Sequence, residues 1–211
     1  MEWAVLGLTV VFLFFSWVIV QGTRAQLAYR KAIAAGDMDV IREVVEQTLE
    51  QWRSMKRPKE VPPNVWRGVQ SMELVSLDPS HIRVSVSAEG QYRMVDGRWQ
   101  EVSSALDEAM AITAKALEML FYDIPNVRMP WARVDAYTTF RTADGRAERR
   151  CILTTTASRQ AARNVDWDSW TPAQVVSYLE GRYRLDERGQ PLPLEVEDWP
   201  GQPGHREAGA A

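Results

Sequence analysis

Eighteen uncharged positions stand near the start of the chain, Trp3 to Val20 (WAVLGLTVVFLFFSWVIV). As a helix rising about 1.5 Å per residue they would cover roughly 27 Å, close to a bilayer core of about 30 Å. Trp3 and Trp17 lie towards the two ends, where amphipathic rings favour an interface. A cleavable signal peptide is the competing reading. Against it, no Lys or Arg precedes the run, and the run exceeds the usual apolar core of about 7–15 residues. The expectation is therefore a transmembrane anchor over residues 1–22, with membrane contact through residues 3–20. Arg24, Arg30 and Lys31 follow the span, so the positive-inside rule puts the N-terminus outside and the remainder in the cytoplasm. This is the pattern of a single-pass plasma-membrane protein.

The period then becomes helical. Residues 23–35 are rich in helix formers, and Gly36-Asp37 reads as a stop followed by a fresh N-cap. Met38, Ile41, Val45, Leu49 and Trp52 recur at helical spacing among Arg42, Glu43, Glu46 and Glu50. Residues 23–57 are thus expected to form a helical stalk. Its second helix, 38–56, either lies on its own domain or self-associates with a second copy. The prolines at 58, 62 and 63 end it.

Next the period shortens to two. Met72–Leu77 reaches the turn Asp78-Pro79-Ser80; then Ile82, Val84 and Val86 alternate with Arg83, Ser85 and Ser87, which predicts one buried and one wet face. Gln91–Val95 and Arg98–Val102 flank Asp96-Gly97, a hairpin signal. Ser103-Ser104 caps a helix over 105–121 with Asp107 and Glu108 in its first turn. A second hairpin, Arg133–Arg141 and Arg149–Thr156, turns around Asp144-Gly145. Thr171-Pro172-Ala173-Gln174 is a capping box opening a helix to Leu179. The fold class expected is α+β: an N-terminal transmembrane helix and helical stalk, then a largely antiparallel sheet packed with helices. The α+β cytoplasmic domain would occupy 58–187, and the Pro- and Gly-rich residues 188–211 would be a disordered tail.

Composition narrows the chemistry. Twenty-five basic against 28 acidic side chains give a formal charge of −3, which argues against a nucleic-acid partner. One cysteine cannot form an internal disulfide or a multi-cysteine metal site, and two histidines leave little for His-based ligation or a triad. The sequence contains no Gly-rich phosphate loop, GxSxG elbow or HExxH motif. A Cys–His nucleophile would need Cys151 beside His81; Cys151 reads instead as a small buried hydrophobe in a strand. Asn164, Asp166 and Asp168 alternate like the start of a calcium loop but lack its glycine and distal glutamate, so Asx turns ahead of Thr171 are expected. Trp167 and Trp170 are expected to pin that corner to the core. Asp135 and Glu148 fall in adjacent strands without further distinction. The basic runs Arg53-Lys56-Arg57-Lys59 and Arg146-Arg149-Arg150-Arg159-Arg163 read as solvated faces rather than lipid contacts. Base stacking on Trp66 or Tyr92 lacks supporting aromatic spacing.

No catalytic, cofactor or metal residue is therefore assigned, and no cofactor is expected. The function expected is a non-enzymatic binding or interaction module with a protein partner. The alternatives are a small-ligand or lipid-binding domain and a membrane-associated hydrolase whose carboxylates meet only in the fold.

Overall fold

Antiparallel hairpins and amphipathic helices build the structure, a computed structural model that describes residues 29–142 and 144–197 together with the isolated helical positions 15, 17 and 27. The helices are α1 (Met38–Ser54), α2 (Pro63–Gln70), α3 (Ala105–Tyr122), α4 (Arg159–Ala162) and α5 (Pro172–Tyr178). The strands are β1 (Glu73–Leu77), β2 (His81–Ser87), β3 (Gln91–Val95), β4 (Arg98–Ser103), β5 (Trp131–Arg141), β6 (Ala147–Ser158) and β7 (Arg182–Tyr183).

The transmembrane anchor requires correction. Among the described residues no helix is long and apolar enough to cross a membrane. The longest, the 18-residue α3, is interrupted by Asp107, Glu108, Lys115 and Glu118. The mixed α+β class stands, but the single-pass topology and the plasma-membrane, cytoplasm-facing localisation are not supported. Apart from Phe15 and Trp17, the expected span at 3–20 lies outside the described residues.

Five strands form one sheet in the order β1-β2-β5-β6-β7. All neighbours are antiparallel except β2 and β5, which run parallel with His81 opposite Trp131 and Ser87 opposite Tyr137. A parallel pair requires a crossover, and residues 88–130 supply it. That crossover contains α3 and, before it, the separate two-stranded ribbon β3–β4. Sequence pattern locates the two hairpins but not this parallel junction, because the pairing of β2 with β5 is non-local.

One sheet face packs beneath the helices. Ile82, Val84 and Val86 stand level with Ala132, Val134 and Ala136, all fully buried, in one core cluster with Ile112, Leu117 and Leu120 of α3. The apolar stripe of α1, Ile41, Val45, Leu49 and Trp52, belongs to the same cluster, so this helix lies on its own domain. Ser104 and Thr171 both close capping boxes, with Asp107 and Gln174. Helix α2 escapes prediction because its eight residues hold too short a pattern; Pro63 in its first turn is its one start signal.

The other face of β2 is not wet. His81, Arg83 and Ser85 are buried as well; the His81 N–H donates to Asp78 and the Arg83 guanidinium to Asp135, within the protein. Residues 188–197 of the expected tail add backbone pairing: Leu194 N–H donates to the Cys151 carbonyl at 2.8 Å, and Asp186 N–H donates to the Gln190 carbonyl at 2.9 Å. Residues 198–211 lie outside the described residues.

Close approach of α2 to α3 depends on Gly68, where a Cβ would fall inside the side chain of Ile112. Gly68→Ala should lower stability by about 1–3 kcal/mol. In a double-mutant cycle, Ile112→Val should recover part of that loss. Additive denaturation energies would place the strain elsewhere.

Candidate functional site

Three groups of side chains could carry chemistry: the buried charges on the sheet, the cavities, and the exposed ribbon. The register of β2, β5 and β6 sets Arg83 beside Arg133, and Ser85 beside Asp135 and Thr154. Asp135 is fully buried. It accepts from Arg83 Nε at 2.7 Å, Arg133 Nε at 2.9 Å and Thr154 Oγ1 at 2.5 Å. Arg133 also donates from Nη1 to the Glu197 carbonyl at 2.9 Å and from Nε to Thr154 Oγ1 at 3.2 Å. Three donors meet on this one fully buried carboxylate and tie β2, β5 and β6 together, so the network is structural.

His81 and Cys151 do not meet. His81 is level with Trp131 and Ser158, whereas Cys151 is level with Tyr137 and Ser87. Six residues of strand separate those levels, about 20 Å. His81 Nδ1 lies 2.5 Å from Asp78 Oδ2. Burial draws the imidazole below its ordinary range, opposed by the Asp78 charge and hydrogen bond and reinforced by Arg83 and Arg133. His81 is therefore neutral at pH 7, and the contact is a hydrogen bond from Nδ1–H. Burial acts to raise Asp78, but the hydroxyl and N–H of Ser80 and the N–H of His81 hold it below the usual carboxylate range. Cys151 is pushed up to about 12, by burial first and then by Asp135. Its thiol, donating weakly to the Leu153 carbonyl at 3.4 Å, is not a nucleophile at neutral pH.

The remaining sequence candidates also separate. Glu148 pairs with Arg150 at 2.8 Å and is level with Phe140, five residues along β5 from Asp135. Asp166 Oδ1 accepts the Ser169 N–H three residues on at 3.1 Å, a local cap of the turn before Thr171 rather than the expected Asx turn. Trp167 and Trp170 pack against the core, Trp167 Nε1 donating to the Ala162 carbonyl at 3.1 Å. They also line a surface cleft of about 400 Å³ with Glu60, Glu118 and Asp168. Trp66 is buried, with Nε1 donating to the Met55 carbonyl at 3.3 Å. The basic run at 146–163 divides: Arg146, Arg149 and Arg150 each lie near a carboxylate, whereas Arg159 and Arg163 line another cavity. Among the described residues no group of three or more His, Cys, Asp or Glu side chains is placed to hold a metal ion. The interface between α3 and the sheet, where an enclosed ligand cavity would lie, is occupied by Ala109, Ile112, Ala116, Leu117 and Leu120.

The ribbon β3–β4 differs from every other element. Asp96 and Gly97 both take positive φ (48° and 76°), the combination that two-residue hairpin turns require. Met94 is directly opposite Trp99, and Tyr92 is opposite Glu101. Period-two alternation therefore puts Tyr92, Met94 and Trp99 on one face. These side chains are 60%, 52% and 69% exposed, and Val102, at the bulge opposite Gln91 and Tyr92, is 60% exposed. Arg93 and Arg98 lie on the reverse face. The base of the ribbon is fixed: Glu89 accepts from Thr139 Oγ1 at 2.9 Å and Thr138 Oγ1 at 3.3 Å, and the Ser104 capping box follows β4 directly. Sequence alone locates this hairpin but not its separation from the main sheet.

No protein-family model matches the sequence, and comparison with curated proteins and with solved structures found no match.

Removing one partner of a buried ion network leaves the others uncompensated. Asp135→Ala should therefore cost about 3–5 kcal/mol in denaturant unfolding; a loss below about 1 kcal/mol would show the arginines to be satisfied without it. Cys151 should not react with a thiol reagent at pH 8 until the chain is unfolded. Exposed cysteine ionises near 8.5 while folded Cys151 holds its proton to about 12, so only the unfolded state releases a proton in that window. Stability should fall as pH rises across it, and Cys151→Ala should lessen the slope. Rapid modification of the native thiol would contradict both expectations.

Proposed function

We propose that this chain is a non-enzymatic binding module that engages another protein through the β3–β4 ribbon. The observation that carries the reading is the exposed face Tyr92, Met94 and Trp99, carried on a ribbon that adds nothing to the main sheet. Isolated two-stranded ribbons are marginally stable in water, so one with this much exposed aromatic surface gains from a surface to lie on.

The residue types favour a protein as that surface. Tyr, Trp, Met and Arg are enriched at the cores of protein interfaces, and Tyr92, Arg93, Met94, Arg98 and Trp99 are all of these types. Trp and Arg are also the commonest energetic anchors. A nucleic acid fits less well, since the whole chain carries a charge of −3. Self-association through α1 is also less favoured, because its apolar stripe is already buried in the domain's own core.

A photoreactive residue at position 99 of the full chain tests the reading. The expected product is a crosslink to one other protein. That protein, purified, should bind the native chain and lose about tenfold or more in affinity to Trp99→Ser, with the melting temperature of the variant unchanged. Binding unchanged by Trp99→Ser and by Met94→Ser would overturn the ribbon as the docking element. Crosslinks only between copies of this chain, or only to nucleic acid, would replace the proposed partner.

A further inference from the structure

Arg128, Arg159 and Arg163 line a single cavity of about 400 Å³ with Tyr122 and Val127. The three come from the loop before β5 and from the short turn of helix after β6, so the β5–β6 pairing brings them together. Arg159 is locked in place by backbone rather than by acid. Its Nε donates to the Met129 carbonyl at 3.0 Å, its Nη1 donates to the Phe121 carbonyl at 2.7 Å, and its guanidinium lies 5.3 Å from the centre of the Phe121 ring. Its buried Nη2 has no hydrogen-bond partner. Arg128 and Arg163 are exposed at the cavity.

What sets this cluster apart is convergence: among the described residues, three guanidiniums line one cavity whose lining includes no carboxylate, whereas Arg83, Arg133, Arg146, Arg149 and Arg150 each have a carboxylate within 4 Å. The shortage is local, since acids outnumber bases in the chain. Of the acids near them in sequence, Asp166 accepts the Ser169 N–H, and Asp123 has Lys115 and Glu118 as its electrostatic neighbours. Burial, and after it the like charges of Arg128 and Arg163, draw Arg159 below its usual range, with Tyr122 opposing them. A guanidinium remains charged under such shifts. Three cations converging on one concavity raise the local concentration of anions there.

We propose that this cavity is an anion site for a phosphate group, with Arg128 and Arg163 as the contacting donors and Arg159 as the fixed charge behind them. Guanidinium forks suit the oxygens of phosphate and bind them in pairs. Two exposed forks before a third, anchored charge favour a dianion over a carboxylate. Inorganic phosphate and a phosphomonoester share this chemistry. The site is independent of the ribbon and stands or falls separately from it.

Calorimetric titration of the full chain at constant ionic strength is the test, with inorganic phosphate in one arm and phosphoserine in the other. Saturable binding with Kd on the order of millimolar or tighter is expected. In the double variant Arg128→Gln and Arg163→Gln it should weaken about tenfold or more, with the thermal unfolding of the free protein unchanged. Both side chains are exposed, so the variant is expected to fold. Tighter binding of phosphoserine identifies a phosphomonoester as the ligand class, and equal or tighter binding of inorganic phosphate identifies the free ion. Absence of saturation in both arms at concentrations of about 50 mM, or equal binding by the double variant, overturns the site.

Discussion

Two guanidiniums lie side by side on adjacent strands, Arg83 level with Arg133, in a layer from which water is largely excluded. Unit charges about 4 Å apart repel by about 4 kcal/mol at the effective dielectric of a protein surface. Asp135 offsets that repulsion by accepting from both, and Thr154 ties its carboxylate to the third strand. One side chain thus joins β2, β5 and β6. The network also fixes register. Sliding β5 by one residue would turn Arg133 and Asp135 together to the apolar face and set Val134 or Ala136 against Arg83, whose buried charge would lose its acceptor. Such a network yields specificity of pairing more readily than net stability. Specificity is what this sheet needs at its one parallel junction, where no hairpin turn constrains the alignment.

With the charged face closed and the apolar face under the helices, little of the main sheet remains for recognition. The accessible chemistry therefore gathers on the connections. The crossover from β2 to β5 needs only a helix to return the chain, and α3 provides it. The ribbon is an insertion in that crossover, held at its base by Glu89 and by the Ser104 cap. Rigid anchoring matters for a docking element, because an ordered ribbon loses less conformational entropy on binding than a flexible loop does.

Local patterns made most of the fold legible in the sequence. The alternation of Ile82, Val84 and Val86, the Asp96-Gly97 and Asp144-Gly145 turns, and the Ser104 and Thr171 caps correspond to elements in the structure within a few residues. Each is set by interactions within about a turn or a hairpin. Long-range facts were not legible. Arg83 reads as a wet position because its partner Asp135 lies 52 residues away. The assembly of Arg128 with Arg159 and Arg163 depends on β5–β6 pairing. Of the proposed docking face, Tyr92 stood out in the sequence only as an aromatic without a setting. Neither its exposure nor its alignment with Met94 and Trp99 follows from pattern alone.

The distinction between structural and functional irregularity here rests on satisfaction. Buried charge, exposed aromatic surface and clustered like charge all break the ordinary rules of folding, and such breaks mark candidate sites. At Asp135 the break is answered inside the protein, by two guanidiniums and a hydroxyl. Cys151 is answered too, its thiol kept neutral by burial and by the adjacent carboxylate. The ribbon face and the arginine cavity receive no such answer among the described residues: Trp99 is exposed, and three guanidiniums share a cavity lined by no acid. A departure that a fold already compensates needs no ligand to explain it. One that costs stability and stays uncompensated among the described residues points outwards, to a binding partner that completes it.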